Sequence, residues 1–162
     1  MIVVADTSPL RYLILIEHVH VLPALYGHVI VPPAVIVELN QERTPDLVKT
    51  WLSTMPEWLK VQAPMQALTA RRSVLGAGER EALALAAELS ADALLIDDRD
   101  GRREAQRLGV PVLGTLRVLV DASEHGLAQL STAFDRLRRT NFRATEQLLK
   151  RLLDHSAHPR EK

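Results

Sequence analysis

Acidic residues recur where short apolar segments of the chain end and helical patterns begin. Four such carboxylates stand out, Asp6, Glu38, Glu79 and Asp98, and three more are close to them in sequence, Glu81, Asp97 and Asp100. Carboxylates a few ångströms apart cannot all ionise cheaply, so a cluster of them either takes up protons or binds a cation. Oxygen donors without His or Cys favour Mg²⁺ or Mn²⁺. Ions of this kind can activate a water and orient a phosphate.

The strands that would position these acids follow from the apolar periodicity. Runs rich in branched residues predict strands over 2–5, 28–31, 93–96 and 110–113, and helical patterns lie between them. Such alternation predicts an α/β fold of three layers, α/β/α, around a central and mainly parallel sheet of four or five strands.

Proline and glycine indicate where the helices begin and end. Pro9 and Pro33 suit the first turns of helices that follow the first two strands. Further helices are predicted over 46–54, 79–89, 102–108 and from 115 to just before Gly126, with Gly109 closing the third of these. We expect one domain over 1–128 and a helical extension over 129–162, packed on the same domain, with a break near 140–141 and fraying over 155–162.

These elements bring the acids to one edge of the sheet. Asp6 directly follows the first strand, and Asp97, Asp98 and Asp100 follow the third. Glu38 lies about two turns into the helix behind the second strand, and Glu79 and Glu81 lie in the first turn of another helix. Open α/β sheets bind ligands outside the carboxyl ends of their strands. The sequence therefore predicts a metal site at this edge.

Each acid also has a purely structural interpretation. Asp6 could cap a helix, Glu79 could complement a helix dipole, and Asp98 could be a solvated turn residue. Glu38 could be an exposed helix position. The metal interpretation is favoured because four separate elements each supply an acid to the same predicted edge.

Composition narrows the remaining classes of protein. The chain has 162 residues and no cysteine, and its 20 basic and 20 acidic residues balance, so binding of a polyanion must be local. Without a basic amino-terminal region or a long apolar stretch, we expect a cytoplasmic protein that has no membrane contact. The histidines lack zinc-ligand spacing, and no phosphate-binding loop or nucleophile elbow is present.

Four segments resemble the PIN-domain nucleases, in the order found in that family. They surround Asp6 (residues 3–10), Glu38 (31–39), Glu79 (78–83) and Asp98 (94–99). The resemblance covers residues 1 to about 125 and is closest to an uncharacterised branch related to the VapC-type toxin ribonucleases. Residues 137–143 are similar to the helical tail of that branch.

The resemblance implies that 1–128 is a PIN-like domain that hydrolyses RNA phosphodiester bonds with Mg²⁺ or Mn²⁺, as an endoribonuclease and as the toxin of a toxin–antitoxin module. It assigns catalysis and metal binding to Asp6, Glu38, Glu79 and Asp98, with Asp97, Asp100 and Glu81 as secondary ligands. It places Ser8 beside the first acid. Arg99, Arg102 and Arg103 are candidates for binding flanking phosphates.

The sequence departs from the VapC pattern at two positions. Ile96 stands where that pattern has Thr or Ser, and Glu79 and Glu81 stand where the third acid is often Asp. These departures leave open which of Asp97, Asp98 and Asp100 contacts the ion, and whether single-stranded DNA is also a substrate.

The expected partners are RNA, an antitoxin protein and a second copy of the chain. The expected homodimer follows from the resemblance and from apolar helix surface around Leu22, Leu25 and Tyr26. The alternative function is a catalytically weak PIN fold that binds nucleic acid or protein. Phosphoryl transfer through an aspartyl phosphate is disfavoured, because Ser8 occupies the position of the second Asp and no Lys occurs between residues 61 and 149.

Overall fold

Short strands alternate with helices along the chain, as the branched apolar runs predict. The computed structural model describes residues 1–66 and 75–158. Its strands are β1 (Val3–Ala5), β2 (Val29–Val31), β3 (Leu59–Val61), β4 (Ala93–Leu95) and β5 (Val112–Leu113). Its helices are α1 (Thr7–Leu15), α2 (Val21–Tyr26), α3 (Pro33–Leu39), α4 (Asp46–Ser53), α5 (Ala77–Glu88), α6 (Arg99–Arg107), α7 (Thr115–Glu124), α8 (Leu130–Arg138) and α9 (Glu146–Ala157).

The strands form one sheet in the order β3-β2-β1-β4-β5, and every pairing within it is parallel. β1 is central and pairs with β2 on one side and β4 on the other. The chain therefore builds one half of the sheet outward from β1 before it crosses to build the other half. In open α/β sheets such a reversal of direction leaves a crevice at the carboxyl ends of the strands.

Both faces of the sheet are covered, because successive strand residues point to opposite sides. Val3 and Ala5 of β1 join a core cluster with apolar residues of α1, α2, α3, α4, α7, α8 and α9. Val4, between them, joins a second cluster with residues of α5 and α6. The predicted three-layer α/β/α fold with a parallel sheet is confirmed.

Several helix ends also agree with the sequence. Pro9 lies in the first turn of α1, and Pro33 is the first residue of α3, where its missing N–H is not needed. Gly109 follows α6 with φ of +73° and Gly126 follows α7 with φ of +70°. Glycine adopts this left-handed conformation without a steric penalty.

The edge strand β3 was not among the four strands predicted individually. It has only three residues, and two of them, Lys60 and Val61, are exposed because β3 has a neighbour on one side only. An edge strand this short has too few buried positions for an apolar periodicity to be recognised.

Several helices differ from the prediction, and one of them, α5, begins at Ala77 instead of 79. Helix α2 was not predicted as a separate element, and α6 begins at Arg99 instead of 102 because Asp98 caps it. Helix α9 continues through Ala157, so the expected fraying from residue 155 is wrong as far as the structure describes the chain. Residues 159–162 of the predicted extension lie outside the described residues.

The C-terminal helices pack on the core of the same domain. Phe134 and Leu137 of α8 and Leu149 of α9 are buried in the cluster that also holds α1 and α7. The proposed boundary at residue 128 stays a prediction.

The surface expected to support a homodimer is largely used within the chain. Leu22 is fully buried, and Leu25 and Tyr26 are partly buried against the core. Our reason for placing a dimer contact at these residues was therefore wrong, and the dimer itself stays a prediction.

Within the described residues, no helix combines the length and apolar character that crossing a membrane requires.

Candidate metal centre

Asp6 lies at the point where the sheet reverses direction. It follows the central strand β1, and its backbone N–H donates a hydrogen bond to Leu95 O at 2.9 Å, which extends the pairing with β4. Only 2% of the residue is exposed. Although Asp6 occupies the N-cap position of α1, its side chain makes no capping hydrogen bond, and Oδ1 is buried without a hydrogen-bond partner among the described residues. Asp6 therefore does not cap α1 through its side chain, and its Oδ1 is a candidate ligand atom.

Burial raises the pKa of Asp6 from 3.8 to about 7. The backbone N–H of Thr7 lowers this pKa, whereas the charges of Glu38, Asp97 and Asp98 raise it further. A carboxyl group with this pKa retains a proton near neutrality unless a cation replaces the proton.

Glu38 lies on α3 and reaches the same crevice. Helix α3 follows β2, which pairs with β1 on the side opposite β4. Its Oε1 accepts a hydrogen bond from Gly78 N at 2.8 Å, and its Oε2 accepts one from the hydroxyl of Thr7. These two donors hold the carboxylate between the amino-terminal ends of α1 and α5.

Gly78 leaves the space that the Glu38 carboxylate occupies. A Cβ at position 78 would lie 2.8 Å from Cδ and 2.9 Å from Oε1 of Glu38, and closer still to Oε2. Gly78 is buried inside α5, where glycine is a poor helix former. Its presence is explained by the close approach of Glu38.

Glu79 lies in the first turn of α5, next to Gly78. The backbone N–H of Gly76, the N-cap residue, donates to its carboxylate, which is a closer interaction than the helix-dipole role considered from the sequence. Burial nevertheless raises the pKa of Glu79 from 4.5 to about 7, and the charges of Asp6, Asp98 and Glu38 contribute to the rise. Glu79 thus caps its helix and also faces the other three acids.

Asp98 and Asp97 follow β4 and have different environments. Asp98 is exposed and caps α6, because its Oδ2 accepts a hydrogen bond from Gly101 N at 2.8 Å. Asp97 is partly buried, and Thr115 donates to it twice, from N at 2.7 Å and from Oγ1 at 2.6 Å. Burial raises the pKa of Asp97, while the Thr115 hydrogen bonds and the charge of Arg102 lower it.

The two remaining secondary candidates stand apart from this group. Glu81 Oε2 accepts a hydrogen bond from Ala34 N at 2.9 Å, so it caps the amino-terminal end of α3. Asp100 is exposed in the first turn of α6. Neither charge is among those that raise the pKa of Asp6 or Glu79.

The candidates for substrate binding line two cavities that meet at Asp97 and Arg102. A cavity of about 650 Å³ is lined by Arg99, Arg102 and Arg103 of α6. Another, of about 760 Å³, is lined by Ser8 and Arg102 together with Glu79 and Asp98. Glu79 and Asp98 therefore line the larger cavity, and Asp97 lies where it meets the arginine-lined one.

Sequence reasoning missed three residues that hold the acids in place: Thr7, Gly78 and Thr115. Each lies within the first turn of a helix at the carboxyl edge of the sheet. A small or hydroxyl-bearing residue in the first turn of a helix beside a predicted acid is the signal by which the sequence could have indicated them.

The donor set fits a hard divalent cation. Asp6, Glu38, Glu79 and Asp98 come from four elements and supply only oxygens, and the buried Oδ1 of Asp6 lacks a partner among the described residues. Within residues 1–66 and 75–158, however, no three acidic or histidine side chains are already arranged to hold an ion. Burial and the charges of Glu38 and Asp98 raise the pKa of Asp6 and of Glu79, and an ion would have to draw the less buried of these side chains inward.

Comparison with known proteins identifies the family of the chain. The family model DUF3368, described as a PIN domain, matches residues 2–158. The chain belongs to the PIN-domain family. The match continues through α8 and α9, beyond the roughly 125 residues over which the resemblance was expected, so the C-terminal helices are part of the family pattern in this PIN domain.

A solved structure supports the same fold. A PilT N-terminus domain protein from the hyperthermophilic archaeon Sulfolobus solfataricus P2 superposes with a TM-score of 0.52 at 21% sequence identity, covering 77% of this chain and 96% of that one. At this identity the likeness concerns the fold alone. No curated protein sequence matches the chain.

Proposed function

We propose that this PIN domain is an endoribonuclease that hydrolyses RNA phosphodiester bonds with Mg²⁺ or Mn²⁺. The observation that carries the proposal is the buried carboxylate of Asp6. One of its oxygens has no hydrogen-bond partner among the described residues, and burial together with three acidic neighbours raises its pKa. PIN domains are generally metal-dependent nucleases, and a divalent ion in this crevice would supply the positive charge that the acids lack.

We assign each acid a role from its position and environment. Asp6 and Glu38 provide fixed oxygens, because Asp6 is buried and Glu38 is held by Thr7 and Gly78. Glu79, with a pKa of about 7, is suited to accept a proton from the attacking water near neutral pH. Asp98, which is exposed, is the acid most open to substrate.

We assign phosphate binding to the arginines that line the cavity of about 650 Å³. Arg99, Arg102 and Arg103 project from α6 into the space beside Asp97. A guanidinium can donate two parallel hydrogen bonds to a phosphate, so this side would hold the backbone that flanks the scissile bond. RNA is the proposed substrate because of the resemblance to VapC-type ribonucleases, and single-stranded DNA is the second candidate.

The decisive experiment is cleavage of labelled single-stranded RNA and DNA of the same sequence by the full chain with Mn²⁺. We expect RNA cleavage that a chelator abolishes and that Asp6→Asn reduces at least about a hundred-fold, since removal of residues that merely support metal ligands already costs 10- to 100-fold. Cleavage that survives both treatments would refute the assignment.

The alternative is a PIN fold that binds nucleic acid or protein without significant catalysis. It is favoured by one observation, that the acids in the described residues are not already arranged around an ion. Calorimetric titration with Mn²⁺ separates the two functions. Absence of binding at millimolar Mn²⁺, in a protein that still binds RNA, would favour the binding module.

A role as the toxin of a toxin–antitoxin module rests on the sequence resemblance. Its test is expression in a bacterial host, where the native chain should arrest growth and Asp6→Asn should not. Growth arrest by both proteins would exclude RNA cleavage as the cause.

A further inference from the structure

The larger cavity extends well beyond the acids. We call it the C-terminal groove; it is bounded by α1, α7, α9 and residues 141–143 of the connection between α8 and α9, which spans 139–145. Glu79 and Asp98 lie at one end, and Asn141, Phe142 and Arg143 line the part formed by the connection. Its volume of about 760 Å³ lies in the range of roughly 300–1,000 Å³ that is typical of small-ligand sites. A chain bound at the acids thus has a built groove beside it.

The lining of the groove is chemically mixed in a way that matches a nucleotide. Leu116, Leu148 and Leu152 supply apolar surface, and Phe142 supplies an aromatic ring. Charged residues also line it. They are three arginines, Arg102, Arg117 and Arg143, and four acids, of which Glu79, Asp97 and Asp98 belong to the crevice and Glu124 lies on α7. A base requires an apolar or aromatic surface, whereas a phosphate requires cationic donors.

Arg143 is the arginine best placed to bind an added phosphate in the groove. Arg117 forms an ion pair with Asp121 at 3.0 Å, but Arg143 is exposed and has no ion pair within the described residues. Burial raises the pKa of Tyr12, whose ring lines the same groove, and the charge of Arg143 partly opposes that rise. Arg143 is therefore an uncompensated cation beside an aromatic wall.

The connection is fixed to the rest of the domain. The hydroxyl of Tyr12 donates to Asn141 Oδ1 at 2.8 Å, and the rings of Tyr12 and Phe142 meet edge to face with centroids 5.0 Å apart. Thr140 Oγ1 donates to Leu137 O at 2.6 Å and accepts from Phe142 N at 3.1 Å. With its oxygen occupied by Tyr12, the amide group of Asn141 retains N–H donors for a ligand.

We infer that the C-terminal groove binds the nucleotide next to the scissile phosphate. Phe142 and the neighbouring leucines contact its base, Asn141 donates to the base edge, and Arg143 binds its phosphate. The ligand class is single-stranded nucleic acid, because a base paired and stacked in a duplex cannot enter a groove of this kind. The inference rests on the proposed function, because it uses the acids to locate the scissile bond, and it assigns specificity to the C-terminal connection.

The test compares three groove variants, Asn141→Ala, Phe142→Leu and Arg143→Gln, with the matched control Arg139→Gln. Arg139 is also exposed and close in sequence, but it does not line the groove. The probes are fluorescein-labelled hexauridylate and hexamers that carry one abasic nucleotide at each position in turn. Binding is measured by anisotropy in an Asp6→Asn background, and kcat and KM are measured with Mn²⁺ in the native background.

We expect the groove variants to weaken hexauridylate binding and raise KM by roughly five-fold or more, the loss that accompanies one base-stacking contact, with kcat little changed. One abasic position should weaken binding to the protein with Phe142, and much less to Phe142→Leu. Arg139→Gln should behave as the parent protein. If Phe142→Leu lowers the melting temperature, Asn141→Ala, at an exposed residue, provides the same comparison.

Two outcomes separate this inference from the proposed function. Normal Mn²⁺-dependent cleavage with unchanged KM in all three groove variants would overturn the groove as a nucleotide site and leave the nuclease intact. Binding of hexauridylate that the groove variants lose, in a protein that cleaves nothing with any metal, would support the groove and overturn the nuclease.

Discussion

Carboxylates in two regions of this molecule have opposite environments. On the outer helices, Glu104 pairs with Arg107 at 2.5 Å, and Arg138 pairs with both Asp135 at 2.6 Å and Glu146 at 3.0 Å. The arginine beside Glu104 lowers the pKa of that acid. In the crevice, Asp6 and Glu79 have acids as neighbours, and both have a pKa of about 7.

The contrast shows what distinguishes the acids of the crevice from those on the outer helices. The chain has equal numbers of acidic and basic residues, so countercharges were available for every acid. In the described residues, none of the ion pairs involves Asp6, Glu38, Glu79 or Asp98. The crevice therefore retains a demand for positive charge that an ion can meet.

The largest expected effect that tests this contrast comes from Asp6→Asn. Asn keeps the shape of Asp but removes one of the repelling charges, so the chelated protein should unfold at the same or a higher temperature than wild type. The rise in melting temperature caused by Mn²⁺ should largely disappear, because an ion stabilises the native state in proportion to its affinity. Paired melting curves with chelator and with Mn²⁺ measure both changes.

The matched control for Asp6→Asn is Glu104→Gln. This change removes an ion pair on the exposed side of α6, which should lower stability by no more than about 1 kcal/mol and leave the Mn²⁺ effect unchanged. An equal Mn²⁺-induced rise in wild type and Asp6→Asn would show that the ion binds elsewhere.

A second prediction concerns pH. Asp6 and Glu79 have pKa values of about 7 in the folded protein, against 3.8 and 4.5 as reference values. Between about pH 4 and 7 the folded state holds protons that the unfolded state has released, so their contribution to stability in chelator falls as pH rises and levels off above 7.

Mn²⁺ should show the opposite trend, because its ligands must lose their protons. We expect affinity to rise roughly ten-fold per pH unit below pH 7 for each proton displaced. Calorimetry at pH 5.5, 6.5 and 7.5 measures this slope, with the double variant Asp6→Asn, Glu79→Gln as the control that should lose it. A Mn²⁺ affinity that does not vary with pH would contradict the raised pKa values.

The third prediction concerns the hydrogen bonds that hold the side chain of Asp97. Thr115 is fully buried and donates to Asp97 through both N and Oγ1. Thr115→Val removes the hydroxyl donor and should lower the free energy of unfolding by about 1–3 kcal/mol, the range for a buried hydrogen bond to a charged group. Urea denaturation measures the loss.

The control for Thr115→Val is Thr132→Val, at an exposed residue whose hydroxyl bonds to Gln129 at 3.3 Å. That change should shift stability by less than about 0.5 kcal/mol. Equal effects of the two substitutions would mean that Asp97 does not depend on Thr115.

The smallest expected effect is that of Glu81→Gln. Glu81 caps α3 through Ala34 N, so loss of its charge at that helix end should lower stability by about 0.3–1 kcal/mol. Mn²⁺ affinity, measured by calorimetry beside Glu79→Gln, should stay at the wild-type value. A loss as large as that of Glu79→Gln would make Glu81 a ligand.

Much of the architecture could be predicted because its signals are local. The strands of the sheet interior are short apolar runs, and Pro9 and Pro33 lie in the first turns of their helices, as the sequence indicates. β3 escaped prediction because its pairing with β2, which lies about 30 residues earlier, and not its own composition, makes it a strand.

Part of the candidate site could likewise be predicted from the sequence, and part could not. That Asp6, Glu38, Glu79 and Asp98 lie at one edge follows from strand ends and helix starts, which the sequence marks. The separate roles of Asp97 and Glu81 do not follow, because they depend on hydrogen bonds to Thr115 and Ala34, 18 and 47 residues away. Whether these acids bind an ion stays a prediction.

The close approach of Gly78 and Glu38 has a consequence for which substitutions the family can accept together. Gly78 lies in a helix with no need for a left-handed conformation, so Ala would ordinarily stabilise α5 there by roughly 0.5–1 kcal/mol. In this chain the added methyl group would displace the Glu38 carboxylate from the donors that hold it. The same substitution should thus be harmful when Glu38 is present and beneficial when residue 38 is alanine. Positions 38 and 78 should therefore show sign epistasis, and a lineage that loses the acid is free to lose the glycine.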